Sequence, residues 1–370
     1  MIKNTNTNNY TPSLIEIYSV QFHVKGSDEI KAQSCANISN SEIVKDGVAV
    51  SNGVNSLSMG TTDSLYSCQS CQNSKLLCSG HAGNIALKYP VKSALYIADL
   101  LKWLKVICYN CGMPVKPIPK NVDKTRVLNE LVKQVKNVTQ CANDKCNFAY
   151  KTVSRSKINP LIFYRSTAQK SEQKDTTKKI MVDQVEYYNH EIKRTLDMVT
   201  DETCILLGRN PISHPRKYLL STIEVLSIVA RPELKKNNIR SSNSDTTHLL
   251  KTIIEHNNRI PDEIPENPEH FDENLKNTFA LLDMTYYSMT RGGPTGDLKL
   301  QTNMNKAPNS IADRLPKKSG IIRKHLMGKK VNYMIRSVIT GNTKLELYEV
   351  GVPVKHARNL EIPEVLEKLK

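Results

Sequence analysis

Aromatic residues and long apolar runs are scarce in this chain. Its 370 residues include one Trp and five Phe. No stretch reaches the roughly eighteen apolar residues that a membrane span needs, since the best candidate, 219–230, is interrupted by two serines, a threonine and a glutamate. Residues 1–15 lack a basic head followed by an apolar run, which excludes a secretory signal there. We therefore expect an intracellular protein in a reducing compartment, with no membrane partner.

Acidic residues are missing from one segment near the carboxyl end. Between Arg314 and Leu345 there are nine Lys or Arg residues and no Asp or Glu. The composition of the whole chain would place about three acids there. Interleaved apolar residues argue against a disordered tail. A fixed polyanion, such as a phosphate backbone, explains an ordered surface of one sign better than a solubilising role does. The candidate nucleic-acid-binding residues are Lys317, Lys318, Arg323, Lys324, Lys329, Lys330 and Arg336.

The length and the net charge bound the class of protein. A chain of 370 residues can bury a hydrophobic core and should hold two or three domains. Lys and Arg outnumber Asp and Glu by 52 to 36, which gives a formal net charge of +16. A polyanion is the natural partner of such a surface, and no amphipathic basic helix points to an anionic membrane instead. Nucleic acid is therefore the expected partner.

Four residues within a short stretch have the spacing of a tetrahedral zinc site. Cys68-Gln-Ser-Cys71 is followed six residues later by Cys78-Ser-Gly-His81. Each pair forms a tight turn that brings two ligands to about 2.0–2.3 Å from one metal, and Gly80 relaxes the second turn. The alternative is a chance grouping of buried or disulfide-bonded residues. In a reducing compartment the pattern favours zinc, held by Cys68, Cys71, Cys78 and His81.

A second, looser cluster follows at Cys108-Tyr-Asn-Cys111-Gly112 and Cys141-Ala-Asn-Asp-Lys-Cys146. We predict a second zinc ion held by Cys108, Cys111, Cys141 and Cys146, although four residues between the last two is a wide gap. Two separate pairs of reduced core thiols are the alternative. A thiol–disulfide enzyme is a weak hypothesis, because no thioredoxin-like setting surrounds either pair. Cys35 and Cys204 are left over, and we predict that both are small buried hydrophobes.

Apolar periodicity and turn residues predict the remaining secondary structure. Strands are expected over 14–24, followed by a short helix, and from Gly83 to Pro90. Trp103 lies on an apolar helical stripe and is expected in the core. The predicted helices are 92–107, 124–138, 185–207, 216–229, 246–258 and 268–290, the last two forming an antiparallel hairpin. The predicted surface loops are 35–65, 166–185, 235–245 and 291–313.

Several motifs, in order along the chain, resemble the largest subunit of multisubunit DNA-directed RNA polymerases. Residues 323–339, Arg-Lys-His-Leu-Met-Gly-Lys-Lys-Val-Asn-Tyr-Met-Ile-Arg-Ser-Val-Ile, resemble that family's R-G-N-L-M-G-K-R-V-D-F-S-A-R-T-V-I. Glu346-Leu-Tyr-Glu-Val-Gly-Val-Pro353 looks like its dock element, and Gly80-His81-Ala-Gly83 looks like its C-P-G-H-F-G. Three further stretches also fit: Met59-Gly-Thr-Thr-Asp63, Leu206-Leu-Gly-Arg-Asn-Pro211 and Val229-Ala-Arg-Pro232.

The resemblance implies an α+β fold: an irregular, multi-segment clamp with zinc knuckles, a helical hairpin and short sheets. Such a clamp closes over downstream DNA and the RNA–DNA hybrid. The implied organisation is clamp core with the first knuckle (1–90), clamp head with the second zinc site (91–230), lid-like loop, hairpin and rudder-like loop (231–313), switch-like basic segment (314–345) and the start of the dock (346–370). Arg323, Lys329, Lys330 and Arg336 match basic family positions and are the main expected phosphate contacts.

The resemblance also implies partners and a location. The expected partners are DNA, the RNA–DNA hybrid, the second-largest and other polymerase subunits, and initiation factors at the hairpin and the dock. Location would be the nucleus or cytoplasm, or the infected-cell cytoplasm and virion for a virus. Departures from the family pattern, such as Lys324-His325 for Gly-Asn and Ser79 for the knuckle proline, are typical of a divergent polymerase such as that of a large DNA virus.

The catalytic motif of the family is absent from the sequence. The catalytic magnesium is held by three aspartates in N-A-D-F-D-G-D, and no such motif occurs up to Lys370. Two-metal nucleotidyl transfer requires that carboxylate cluster. We therefore expect no catalytic residue here, with magnesium bound outside this segment, and an N-terminal piece that is inactive alone. The competing hypothesis is a stand-alone, zinc-dependent nucleic-acid-binding regulator, which would bind with sequence selectivity.

Overall fold

The computed structural model describes residues 19, 22–46, 48–119, 122–135, 138, 140–146, 148–156, 159–166, 184–236, 239–292 and 308–360. The chain divides into two compact units, Met1–Ile311 and Ala312–Lys370. No helix among the described residues is long and apolar enough to cross a bilayer. Most of the predicted excursion at 166–185 and most of the predicted rudder-like loop fall outside the described residues.

The first unit alternates short helices with short strands. Its elements, in order, are α1 (Ser27–Gln33), β1 (Ala36–Asn37), β2 (Val44–Lys45), β3 (Val48–Ala49), β4 (Gly83–Lys92), α2 (Ile97–Val106), α3 (Val127–Gln134), β5 (Thr152–Arg155), β6 (Phe163–Ser166), β7 (Gln184–Glu186), α4 (Asn189–Asp197), α5 (Asp201–Leu206), β8 (Leu219–Val225), β9 (Leu234–Lys236), β10 (Ile239–Ser242), α6 (Asp245–Arg259) and α7 (Glu273–Arg291). The second unit contains a π-helical turn (Ile322–Leu326) and α8 (Val354–Asn359). This mixture of helices and small sheets confirms the predicted α+β class.

The strands form four small sheets. The central one has the order β1-β4-β8, with β1 parallel and β8 antiparallel to β4. The strands β5, β6 and β7 form an antiparallel meander, and β2 with β3 and β9 with β10 form two-stranded hairpins. The segment 235–245, predicted as a loop, therefore contains most of a hairpin and the start of α6.

The prediction of a helix over 216–229 was wrong, because β8 occupies 219–225. Its two less buried residues, Ser221 and Glu224, are three positions apart, which imitates a helical period. Thr222, Ile223 and Val225 are β-branched and favour a strand. Pairing with β4, from Gly83 opposite Val225 to Lys92 opposite Leu219, decides the outcome.

The central strand β4 runs through Pro90, where it was predicted to end. The pairing register with β8 shifts between Ala86 and Val91. A proline lacks an N–H group, so it is tolerated at such an irregularity. The backbone groups freed there are satisfied by Asn257 of α6, which accepts from the Lys88 amide at 2.8 Å and donates to the Ala86 carbonyl at 3.1 Å.

Other boundaries also differ from the predictions. The helix predicted over 185–207 is two helices, because Thr200 caps α5 by accepting from the amide of Thr203. Ser19 and residues 22–24, within the predicted first strand, are not in a strand. The segment 35–65 is irregular, as predicted, but it is not all surface, since Val54 and Met59 are buried.

Two hydrophobic cores fill the first unit. Core 1 lies among α2, α3, β5, β6, α4 and α5 and contains Trp103, which is fully buried as predicted. Core 2 lies between the central sheet and the pair α6–α7. Asp245, at the start of α6, accepts from the Asn309 amide, and the Ile311 amide donates to Met289 near the end of α7. These contacts bring the start of α6 and the end of α7 to one end of the pair, as the predicted antiparallel hairpin requires.

Candidate metal centres and nucleic-acid interface

The first cysteine cluster is assembled by two turns of the chain. The Cys68 carbonyl accepts from the Gln72 amide at 2.8 Å, and the Cys78 amide donates to Ser74 at 2.9 Å. Gly80 has φ +85°, a conformation that favours glycine. A Cβ there would lie 2.5 Å from the Ser227 hydroxyl. The glycine therefore allows both the turn and its close approach to the segment after β8.

The four donor atoms of this cluster face one point. The donor atoms of Cys68, Cys71, Cys78 and His81 all lie within 4.8 Å of one another. Cys78 Sγ and His81 Nε2 are 3.8 Å apart. Cys68 and Cys78 are buried, whereas Cys71 and His81 are half-buried. Three sulfurs and one imidazole nitrogen at this range form a donor set that could hold a single metal ion.

The second cluster joins chain segments about thirty residues apart. Cys108 and Cys111 lie on the turn after α2, where Gly112 has φ +68° and donates to the Cys108 carbonyl at 2.8 Å. A Cβ on Gly112 would lie 2.4 Å from the Met198 carbonyl oxygen. Cys141 and Cys146 lie on a second turn, and the Cys141 amide donates to Phe148 at 3.0 Å.

The sulfur–sulfur distances in the second cluster fit a tetrahedral thiolate site. The pairs Cys108–Cys146 and Cys111–Cys141 each have Sγ atoms 3.8 Å apart. A tetrahedron with metal–sulfur bonds of about 2.3 Å has edges of about 3.8 Å, whereas a disulfide bond is about 2.05 Å long. All four sulfurs lie within 4.8 Å of one another, so they form one cluster rather than two separate pairs of thiols.

Each cluster contains one acidic thiol and at least one whose protonated form is favoured. The hydrogen bond from His81 lowers the pKa of Cys71 to about 6, and the hydrogen bond from the Asn110 side chain lowers the pKa of Cys146 to about 7. Burial raises the pKa of Cys78, and raises that of Cys108 to about 12. Metal ligation requires thiolates, so binding a cation here would release protons, mainly from the buried thiols.

The remaining two cysteines lie outside these clusters. Cys204 is buried, as predicted. Cys35 is exposed, which contradicts the prediction of a buried residue. Its thiol donates to the Ser58 carbonyl at 3.2 Å. The short strand β1 follows directly and pairs with the edge of β4, which leaves Cys35 at the surface.

The predicted nucleic-acid-binding residues all belong to the second unit and are all exposed. Arg323 and Lys324 lie on the π-helical turn, in which the Met327 amide donates to the Ile322 carbonyl at 2.9 Å. A Cβ on Gly320 would lie 2.2 Å from two preceding carbonyl oxygens, so a tight turn precedes this helix. Interleaved apolar residues are also exposed, Leu326 by 76% and Ile339 by 95%. The segment therefore offers both cations and apolar side chains to a partner.

A buried ionic network between the two cores has no signature in the sequence. Lys92 of β4 donates to Asp283 of α7 at 2.9 Å, and its side chain also contacts Asn189 at the start of α4. Asn189 in turn donates to Asp283 at 2.9 Å. All three are at least nine-tenths buried. They are 94 to 191 residues apart in sequence, so no local pattern could reveal them.

A second buried cation, Arg231, holds three segments together. It belongs to the stretch 229–232, which was noted for its resemblance, but no structural role was predicted for it. Its guanidinium donates to Leu226, Asn55 and Thr247 at 2.8–2.9 Å. The side chain is 1% exposed. Arg231 therefore joins the segment after β8, the loop before the first cluster and the start of α6.

Comparison with known proteins gives matches along nearly the whole chain. The family model described as RNA polymerase Rpb1, domain 1, matches residues 14–326, and RNA polymerase Rpb1, domain 2, matches residues 328–370. The DNA-directed RNA polymerase RPB1 homolog of African swine fever virus (isolate Pig/Kenya/KEN-50/1950) is 32% identical over 366 residues, which cover 95% of this chain and 24% of that protein.

Two further relatives are less similar in sequence. DNA-directed RNA polymerase subunit Rpo1N of Methanocaldococcus jannaschii is 28% identical over 370 residues, 95% of this chain and 26% of that protein. DNA-directed RNA polymerase subunit 1 of Acanthamoeba polyphaga mimivirus is 28% identical over 338 residues, 86% of this chain and 22% of that protein. The chain thus spans 22–26% of the length of these three relatives.

Proposed function

This chain belongs to the RNA polymerase Rpb1 family, and from that membership we propose that it forms the clamp region of the largest subunit of a DNA-directed RNA polymerase. In this role it would grip template DNA and the RNA–DNA hybrid while other parts of the enzyme carry out nucleotidyl transfer with magnesium. The observation that carries the proposal is the uninterrupted order of the two domain matches, which leave out only residues 1–13 and 327.

The two cysteine clusters would hold structural zinc ions. Each supplies four protein donors, so a tetrahedral ion would have no open position for water or substrate. Bound zinc would supply cross-links between turns that hydrogen bonds alone hold loosely. The chain's own residues do the rest: Gly80 and Gly112 allow the turns, and the hydrogen bonds to Cys71 and Cys146 favour thiolates before a metal arrives.

The exposed cations of the second unit would contact phosphates. Lys317, Lys318, Arg323, Lys324, Lys329, Lys330 and Arg336 are free of neighbouring acids in sequence. Such contacts position a nucleic acid without reading its bases. Exposed apolar side chains in the same segment support a further role, an interface with the second-largest or another polymerase subunit. Initiation factors are proposed to bind the α6–α7 hairpin and the dock, with transcription in the nucleus or cytoplasm.

Charge reversal in the basic segment tests the proposal. Duplex DNA binding should fall steeply with salt, because released counterions supply most of the affinity. The variant Lys329→Glu/Lys330→Glu/Arg336→Glu should reduce the slope of log K against log salt by about 3, since each phosphate contact contributes about 0.9. The measurement is fluorescence anisotropy with labelled duplexes at several salt concentrations.

A matched control separates local contacts from net charge. Lys31→Glu/Lys45→Glu/Lys75→Glu changes the charge equally at three exposed lysines of the first unit. This variant should keep most of the slope. Equal losses in both variants, or no loss in either, would contradict the proposal. Marked preference for one DNA sequence would favour the stand-alone regulator instead.

A further inference from the structure

Positive charge is concentrated in a second segment besides the basic one near the carboxyl end. Residues 100–165 contain thirteen Lys or Arg and three Asp or Glu. Residues 314–345 contain nine and none. The rest of the chain has 30 Lys or Arg against 33 Asp or Glu, so the net charge of +16 arises entirely from these two segments. The first of them includes the whole second cysteine cluster.

Three lysines of this segment converge on the second cluster. The Tyr150 hydroxyl donates to the Lys105 carbonyl at 2.6 Å, and the Lys151 amide donates to the Tyr109 hydroxyl. Lys145 directly precedes Cys146, whose sulfur lies 3.8 Å from that of Cys108. The backbones of Lys105, Lys145 and Lys151 are therefore tied to one knuckle, although they are up to 46 positions apart.

These lysines form no ion pair among the described residues, and Asp144, which directly precedes Lys145, is the one acid beside them in sequence. By contrast, Lys102 pairs with Asp99 and Lys133 with Glu130. A divalent ion with four thiolates has a net charge of −2, which offsets part of this excess. With this charge and the three acids counted, among them the exposed Asp144, residues 100–165 keep a net charge of about +8. Lys145 is exposed, while Lys105 and Lys151 are half-buried. The segment that contains the knuckle therefore remains electropositive.

An exposed aromatic side chain falls between two of these lysines in sequence. Phe148 is 40% exposed and falls between Lys145 and Lys151 in sequence. Its carbonyl accepts from the Cys141 amide at 3.0 Å, which fixes its backbone to the knuckle. Its ring meets that of Tyr109 at 87°, with the centroids 5.4 Å apart. A fixed, partly exposed ring beside cations is the arrangement that stacks a base of a single strand while lysines contact its phosphates.

We propose that this surface, the knuckle patch formed by Lys105, Lys145, Phe148 and Lys151, binds single-stranded DNA. The choice of DNA rests on the proposed function, in which a DNA template is the substrate. An acidic protein segment would satisfy the lysines, but it offers no base to stack on Phe148. Binding would be tolerant of sequence, because every base has a face that stacks.

The aromatic contact is tested with two substitutions in the full chain. Phe148→Ala should weaken binding of a labelled thymidine 20-mer about tenfold, and leave binding of a 20-base-pair duplex within about twofold. Phe148→Trp should retain affinity for the single strand, and its new indole fluorescence should be quenched when the strand is added. The native Trp103 is fully buried and provides a constant background. Metal content measured for each variant shows whether the knuckle is intact.

The charge contribution is tested separately. Lys145→Gln/Lys151→Gln should reduce the salt slope for the single strand by about 1.4, since each contact contributes about 0.7. The triple variant of Lys329, Lys330 and Arg336 serves as the comparison. If that variant loses binding and the knuckle variants do not, the knuckle patch is refuted while the proposed function stands.

Three further outcomes would overturn the inference. Polyglutamate that displaces the 20-mer as efficiently as an unlabelled 20-mer would identify an acidic protein segment as the partner. Equal weakening of duplex and single strand by Phe148→Ala would show that no base stacks on the ring. A labelled uridine 20-mer bound more tightly than the thymidine 20-mer would assign the patch to RNA.

Discussion

The two candidate metal centres have similar donor geometry and different surroundings. Cys108 and Cys141 belong to core 1, and Cys111 and Cys146 pack against it. Cys68 and Cys78 are also buried, but they belong to neither core. The first centre closes a stretch of fourteen residues, whereas the second closes thirty-nine and encloses α3. The second centre is therefore part of the packing of its region, and the first is an attachment at the edge of core 2.

Serine substitution of matched ligands should give the largest difference between the centres. Cys71 and Cys111 are each the second cysteine of a C-x-x-C and are each half-buried. Each single substitution should remove one of the two proposed zinc ions, as measured by metal analysis. Cys111→Ser should also lower the free energy of unfolding by several kcal/mol, because a metal held by residues of core 1 would couple its binding to folding. Cys71→Ser should instead cause local proteolysis between residues 57 and 81.

Trp103 reports on this difference directly. It is the single tryptophan of the chain and is fully buried in core 1. Its emission should shift to longer wavelength in Cys111→Ser and remain unchanged in Cys71→Ser. A shift of equal size in both variants would contradict the distinction between an integral and a peripheral centre.

Breaking the buried ion pair tests whether the regions around the two centres unfold together. Asp283→Ala leaves Lys92 buried without its carboxylate and should cost about 3–5 kcal/mol. The Trp103 transition in urea should then separate from the loss of helix measured by circular dichroism. Asp262→Ala, which removes an exposed partner of Lys88, should have no measurable effect. The double variant Lys92→Met/Asp283→Leu should recover most of the stability, since it leaves no unpaired charge.

Alanine at the two knuckle glycines should cost unequal amounts. At Gly112 the new Cβ meets the carbonyl of Met198, which is backbone and cannot move aside, so we expect a loss of about 3 kcal/mol. At Gly80 it meets the side chain of Ser227, which can rotate, so about 1–2 kcal/mol is expected. Adding Ser227→Gly should restore part of the loss in Gly80→Ala. The free energy of unfolding is measured from urea unfolding curves. If Ser227→Gly does not restore stability to Gly80→Ala, a steric clash between the two side chains is excluded as the cause.

Acid sensitivity outside both centres should be the smallest effect. Hydrogen bonds from Lys217 and the Gly26 amide hold the pKa of Glu29 below its ordinary value of 4.5. A carboxyl group whose pKa is lowered in the folded state stabilises the fold when the pH is above the ordinary pKa. This stabilisation is lost as the pH falls through the folded-state pKa. Glu29→Gln should therefore cost less than about 1 kcal/mol at pH 7 and nothing below the folded-state pKa. Asp28→Asn, on the same helix, is the matched control. Urea unfolding of both variants is measured at pH 7 and at a pH below the folded-state pKa of Glu29.

The sequence allowed the two Cys/His clusters to be predicted because their information is local. Each C-x-x-C or C-x-x-H turn is a short-range geometry, and only the meeting of the pairs needs the fold. The helical hairpin was predicted for the same reason, since α6 and α7 have long apolar stripes and a proline-containing turn between them. Features with local signals were therefore predictable.

Long-range pairing determined what could not be predicted. The segment 219–225 has a burial period close to that of a helix, and its strand exists because β4 lies beside it. The side-chain partners of Lys92 are 97 and 191 positions away in the sequence. Those of Arg231 are between 5 and 177 positions away. No property of those residues alone distinguishes them from surface cations. Cys35 was misassigned because its exposure depends on where the edge of the central sheet lies.

The amide of Asn257 has a mechanical consequence. By bonding to Ala86 and Lys88, it acts as a surrogate peptide group at a position where β8 has slipped out of pairing. The helical hairpin α6–α7 is consequently attached to the central sheet by hydrogen bonds as well as by hydrophobic packing. Displacing α6 along the central sheet would break both of these hydrogen bonds at once. We therefore expect the helical hairpin and the sheet to move together.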